Sequence, residues 1–253
     1  MSEIRPHFKG GDPRPRPTKT LGRVFIAMRI LARQPAPYRK LRIAGVLRRI
    51  VRRWRDVITS VSLYLRGVDI DGYVSAVDIE AELGGRDDIR NKINAYERSS
   101  TSAVESLVSE ALATGRDFEA FLDLGCGKGF ACIVAAKTFG IADVRGIDVS
   151  PTFIETANRN KRKLGLDFMD FQVFDASKYT ILKKNTMIFL NNPFDAIIIR
   201  NFLLGNLEHF RTFNSTIIYI NDWHREIFNE FGFSTMYRSR ELRASIWSYR
   251  DVG

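Results

Sequence analysis

From residue 120 onward, short apolar runs alternate with longer segments whose apolar positions recur three and four residues apart. The first kind fits buried strands and the second fits helices. The alternation predicts strands at about 120–124, 143–148, 168–174, 186–191 and 216–220. Helices are expected between and after them, at about 130–139, 151–164, 195–210 and 223–230. Two last strands, near 233–238 and 243–249, read as an antiparallel hairpin at a sheet edge. Such alternation makes a parallel, doubly wound sheet. Local punctuation agrees. Ser150-Pro151 supplies an N-cap and a proline at the first helical position. Gly165, Gly140 and Gly232 stop helices, and Asp222 reads as the N-cap of the 223–230 helix.

Upstream the pattern changes. Residues 1–20 hold Pro6, Pro13, Pro15 and Pro17 with interleaved Arg, which predicts a disordered basic tail. Residues 21–33 fit one short helix, after which Pro35 and Pro37 break the chain. From 41 to 65, apolar residues at 43, 46, 47, 50, 54, 57, 58, 61 and 65 share one helical face. Arg42, Arg48, Arg49, Arg52, Arg53 and Arg55 occupy much of the remainder. The expected arrangement docks that apolar face on the following domain and solvates the arginines. The alternatives are a basic helix lying on a lipid surface and arginines gripping nucleic-acid phosphates. Residues 67–90 read as a loop-rich connection with at most one short helix, and a helical pattern returns from Arg90 to Leu112. The expected divisions are a tail at 1–20, a basic helical extension at 21–89 and an α/β domain at 90–253.

Charge sharpens this division. Residues 1–66 carry 17 Lys and Arg against 3 Asp and Glu, while the remainder carries 22 against 26. The net +10 is therefore an N-terminal property and points to a polyanionic partner, either an anionic membrane surface or nucleic acid. The stretch Val24–Ala32 is apolar, but it is short and Arg29 interrupts it. A bilayer span needs about 20 apolar residues. With no secretory pattern, a cytoplasmic setting is expected, with a peripheral position at a membrane as its variant. Cys126 and Cys132, the two cysteines, fit packing better than a disulfide and make no metal site.

The chemistry concentrates at 121–130, Phe-Leu-Asp-Leu-Gly-Cys-Gly-Lys-Gly-Phe. A strand ends at the acidic Asp123, glycines follow at 125, 127 and 129, and a helix begins. Glycine permits positive φ and close approach of a ligand, while free N–H groups at a helix start face it. Dinucleotide binding needs G-x-G-x-x-G, whereas position 130 is Phe. Ligands of open α/β sheets lie beyond the carboxyl ends of the strands. At those ends stand Asp148, suited to a ribose diol or to helix capping, and Asp175 with Ala176, suited to an adenine amino group or to a turn. Asn191-Asn192-Pro193-Phe194 turns the chain at the rim of strand four.

Asp123-Leu124-Gly125-Cys126-Gly127-Lys128-Gly129, with Asp148 and Asp175 behind it, resembles the motifs of class I S-adenosylmethionine (SAM) methyltransferases. Asn192-Pro193-Phe194 is similar to the Asn-Pro-Phe of a group of small bacterial members. It lacks the second proline of the amino-methylating Asn/Asp-Pro-Pro-Tyr/Phe pattern. Tyr96-Glu97 is similar to the Tyr-Glu-Pro that closes over the cofactor in that group, with Arg98 in place of the proline. The resemblance spans about 90–250 and implies a seven-stranded sheet of order 3-2-1-4-5-7-6 with the last strand antiparallel. It implies SAM as cofactor, held by Tyr96, Glu97, Asp123, Gly125, Cys126, Gly127, Gly129, Asp148, Asp175 and Ala176. Asn191, Asn192, Pro193 and Phe194 would serve the methyl acceptor, an N or O nucleophile, by in-line displacement. A general base is needed only for an acceptor protonated at working pH, and His224 is a candidate. The competing expectation is a non-catalytic protein that keeps the fold and binds nucleic acid or membrane.

Overall fold

The computed structural model describes residues 36–84 and 92–250, with side chains from residue 46 on, residue 48 excepted. The expectations for 1–20 and 21–33 lie outside the described residues. Contacts divide the chain into Met1–Arg52 and Arg53–Gly253. Helix α1 (Ala36–Leu65) crosses this division. It starts earlier than expected because Pro37 sits in its first turn, where a missing N–H costs no bond. In the first unit the described part is helix, with Leu47, Ile50 and Val51 exposed.

The second unit carries one seven-stranded sheet: β1 (Ala120–Leu124), β2 (Asp143–Asp148), β3 (Asp170–Val173), β4 (Thr186–Asn191), β5 (Thr216–Ile220), β6 (Phe233–Ser239) and β7 (Ala244–Tyr249). Its order is β3-β2-β1-β4-β5-β7-β6, as the resemblance implied. β7 runs antiparallel to both β5 and β6. The central strands β1, β4 and β5 are almost wholly buried, which explains their unbroken apolar runs. One face packs on α3 (Thr101–Leu112) and α4 (Phe130–Phe139) through Val104, Leu107, Val108, Ile133 and Val134. The other packs on α6 (Ala196–Gly205), α7 (Leu207–Thr212) and α8 (Glu226–Glu230) through Ile199, Phe202, Phe210 and Phe228.

Helix α5 (Pro151–Leu164) follows its signals: the Ser150 hydroxyl accepts from Phe153 N, and Gly165 ends it in the left-handed region. Four expectations need correction. The single helix at 195–210 is two, because the buried Asn206 turns inward, accepting from Ile181 N and donating to the carbonyls of Tyr179 and Phe202. The helical pattern from Arg90 covers only α3. Ser100 caps that helix by accepting from Ala103 N, and the residues before it are extended. Asp222 is not a helix cap: it is buried, with one carboxylate oxygen 3.9 Å from Arg238 Nε, while Arg225 stands at the N-cap position of α8. Finally, from Trp54 to Leu65 the apolar face of α1 expected to dock is exposed instead. Residues 67–84 hold the one short helix expected, α2 (Ala76–Glu82).

Candidate functional site

The corner between β1 and α4 is fixed by backbone bonds to β2. Gly125 N and Cys126 N both donate to the Ile147 carbonyl at 2.9 Å. Gly127 N donates to Asp148 Oδ2 at 2.9 Å, and Ser150 N to Oδ1 at 3.0 Å. Gly125 and Gly127 have φ of 74° and 52°, where side chains are strained. A Cβ at Gly125 would collide with the Pro193 ring, and one at Gly127 with the Tyr96 ring. The close approach expected of a ligand is made at these two points by the chain itself. An open cleft remains beside them, about 900 Å³ with its mouth included.

The cleft has a cover drawn from far upstream. Asn94 N donates to the Pro193 carbonyl at 2.9 Å and Asp195 N to the Lys92 carbonyl at 2.8 Å, so 92–94 runs beside the rim of β4. On its other side Tyr96 N donates to the Val74 carbonyl at 2.9 Å. The Tyr96 hydroxyl donates to the Ile70 carbonyl, and its ring packs on Phe153 at 4.8 Å. Residues 69–71 are tied in turn to the glycine corner. Lys128 Nζ donates to Asp69 Oδ1 at 2.6 Å and to the Asp71 carbonyl at 2.7 Å. The fully buried Asn160 amide bridges the carbonyls of Asp69 and Lys128. Glu82 completes the join by accepting from Ser150 Oγ and Thr152 N at the start of α5.

Charge inside the cleft is unusual. Asp123 is buried and accepts no hydrogen bond from any described residue; burial, then the nearby Asp148, pushes its carboxyl well above the ordinary carboxylate range. Burial also raises Asp148 to about 6, against the lowering effect of its backbone N–H partners. Arg98, the proline replacement, lines the same cleft. Its Nε lies 3.2 Å from Asp71, its Nη2 donates to Ser60 and its guanidinium covers the Phe130 ring at 4.5 Å. Its Nη1 is buried with no partner among the described residues. A buried carboxylate and a buried N–H without partners in one cleft are costly unless a ligand satisfies both.

The structure brings most of the predicted residues together. Tyr96, Glu97, Asp123, Gly125, Cys126, Asp148, Asp175, Ala176, Asn191, Pro193 and Phe194 all line the cleft, while Gly127 and Gly129 shape the turn beneath it. Asn192 does not line it. With φ of 45°, it accepts from the Tyr219 hydroxyl at 2.9 Å. Asn191 donates to the Glu97 carbonyl and accepts from Asn221. Asp175 caps the short 3-10 turn at 176–178 by accepting from Ser177 N and Oγ, and Lys178 lies 3.3 Å away. Cys126 and Cys132 are free and buried. Sequence reasoning missed Arg98, Val149 and Phe174 as lining residues. The signals were a cation at the proline position and apolar residues next to Asp148 and Asp175.

A seven-stranded sheet in this order, with a glycine corner and an acidic residue ending β2, defines the class I SAM-dependent methyltransferases, whose cofactor is SAM. Residues 117–229 match the family model of a methyltransferase domain. No curated protein matches the chain. Similar solved structures include TrmN from Thermus thermophilus, 17% identical over 60% of this chain and 49% of that one, with a TM-score of 0.47. A ribosomal protein L11 methylase from Lactobacillus delbrueckii subsp. bulgaricus is 15% identical over 60% of this chain and 81% of its own, with a TM-score of 0.46. A TehB-like SAM-dependent methyltransferase from Corynebacterium glutamicum is 15% identical over 58% and 88%, with a TM-score of 0.43. The chain thus spans about half the length of TrmN.

Proposed function

We propose that the cleft holds SAM and that the protein moves its methyl to an N or O nucleophile docking beside Asn191, Pro193 and Phe194. The observation that carries this reading is a buried carboxyl, Asp123, and a buried guanidinium N–H with no partner among the described residues, Arg98 Nη1, in one cleft next to Asp148. A zwitterionic amino acid joined to a nucleoside complements all three. Asp123 would face the ammonium and Arg98 the carboxylate. Asp148 accepts the ribose hydroxyls on lone pairs left over from Gly127 and Ser150. Val149 and Phe174 flank the base, with Asp175 at its amino group. When bound, SAM supplies a methyl already made electrophilic by the sulfonium, so the protein's task is alignment. Asn191 keeps a second amide hydrogen for orienting an acceptor. Asn192 holds the rim through Tyr219.

Calorimetric titration with SAM and with adenosine tests these assignments. Asp148→Ala is expected to weaken both ligands by about a hundredfold, the loss of two charge-assisted bonds. Arg98→Ala is expected to weaken SAM about tenfold and leave adenosine unchanged. Equal loss of both ligands in Arg98→Ala, with an unchanged melting temperature, overturns the carboxylate assignment. Transfer from labelled SAM into fractionated cell extract then identifies the acceptor, with Asp148→Ala as control.

A further inference from the structure

Within the second unit, the part of α1 from Arg53 on packs through its polar side. Asp56 accepts from Ser102 N at 3.0 Å and from Ser102 Oγ at 3.3 Å, Ser60 accepts from Arg98, and Arg55 pairs with Glu105 at 2.8 Å. Between Arg53 and Leu65, Leu63 is the buried apolar side chain. Trp54, Val57, Ile58, Val61, Tyr64 and Leu65 are 51–77% exposed and recur at helical spacing along one face. The exposed Arg53 borders that face, with the exposed Arg66 just past the helix end.

We infer that this face seats the protein on an anionic lipid bilayer, with α1 lying in the plane of the interface. Contiguous large apolar side chains on the surface mark a contact site. Arg53 and Arg66 reach phosphates while the apolar arc enters the acyl boundary. Charge selects among occupants. A second copy would bring another strongly basic segment, since residues 1–66 hold 17 Lys and Arg against 3 Asp and Glu. The first 35 residues, with 8 against 2, have the same sign. Nucleic acid would use the arginines but leave six large apolar side chains in water. No helix among the described residues is long and apolar enough to cross a membrane, which leaves the in-plane position for α1. The inference is independent of the methyltransferase reading, because none of these six side chains lines the cleft.

Flotation of the full chain tests it, using vesicles of phosphatidylcholine alone and vesicles with about one-third phosphatidylglycerol. The protein is expected to float with the anionic vesicles at least about tenfold better than with the neutral ones. The double variant Val57→Glu/Val61→Glu is expected to lose about tenfold or more of that binding. Its melting temperature and SAM affinity should stay unchanged, which separates loss of the membrane face from failure of the cleft. Trp54 emission should move to the blue on adding anionic vesicles, and Trp54→Phe should remove that shift. Three results would overturn the inference: no flotation of the unaltered chain, equal flotation of the double variant, or a dimer in solution that the double variant splits.

Discussion

Helix α5 turns Phe153, Ile154 and Ala157 into the core, whereas the second half of α1 turns Val57, Ile58 and Val61 outward. Both segments have an apolar stripe at helical spacing. For α5 the stripe faces β2 and β3, and most of its polar residues face outward, the buried Asn160 bridging the carbonyls of Asp69 and Lys128. For α1 the contact is made by Asp56 and Ser60, and the stripe is left over. Periodicity shows that a helix has an apolar face; it does not say what that face meets. Only the hydrogen-bonding demands of the neighbour settled the matter. The start of α3 presents Ser102 N–H and hydroxyl groups, and the cover presents Arg98, so the polar side of α1 is the complementary one.

The largest break in this symmetry should come from placing a charge in each stripe. Ile154→Asp buries an unpaired carboxyl and is expected to cost about 3 kcal/mol or more, read by urea unfolding of the full chain. Ile58→Asp, in the exposed stripe, is expected to stay within about 0.5 kcal/mol. Next comes Gly127→Ala, where the new Cβ meets the Tyr96 ring at a left-handed φ; a loss of about 2 kcal/mol is expected, with weaker SAM binding in the same protein. Asp56→Ala removes the bonds to Ser102 and should cost about 1 kcal/mol, more than Ile58→Asp does on the opposite face. Smallest is a pH effect. Burial raises Asp148 to about 6, so the folded chain takes up a proton before the unfolded chain does. Its carboxyl therefore favours folding increasingly as pH falls from about 6 toward 4. The stability difference between the unaltered protein and Asp148→Asn, measured across that range, should grow in favour of the former as acid is added. His209 acts in the opposite sense. Burial holds its pKa down at about 4, so its contribution is lost as pH falls below the ordinary histidine value, and the two groups partly offset one another.

What was legible in the chain was local. The strands β1, β4 and β5 are buried on both faces and read as continuous apolar runs. The bounds of α5 follow from Ser150, Pro151 and Gly165, all within one turn of its ends. The glycine corner and Asp148 are likewise set by a single strand–turn–helix unit and its neighbour. The extended segment before Ser100 was not legible, because the partners that hold it straight, Val74 and Pro193, are distant in sequence. Inside 90–112 its own residues have an adequate helical pattern. Arg98 escaped for the same reason: its position in the cleft depends on Asp71, Ser60 and Phe130, three separate segments. Asn206 could have been suspected, since a polar residue follows Gly205 in the middle of an apolar helix, but its three partners could not.

The cover over the cleft is held as a strand would be, with amides of Asn94, Tyr96 and Asp195 each closed on a distant carbonyl. Those three protons can exchange with deuterated solvent only when the cover parts from the β4 rim or from Val74. Their exchange rates therefore time the opening of the site separately from global unfolding, which the amides of β1 and β4 would register. A cofactor bound beneath the cover should slow the first set and leave the second nearly untouched.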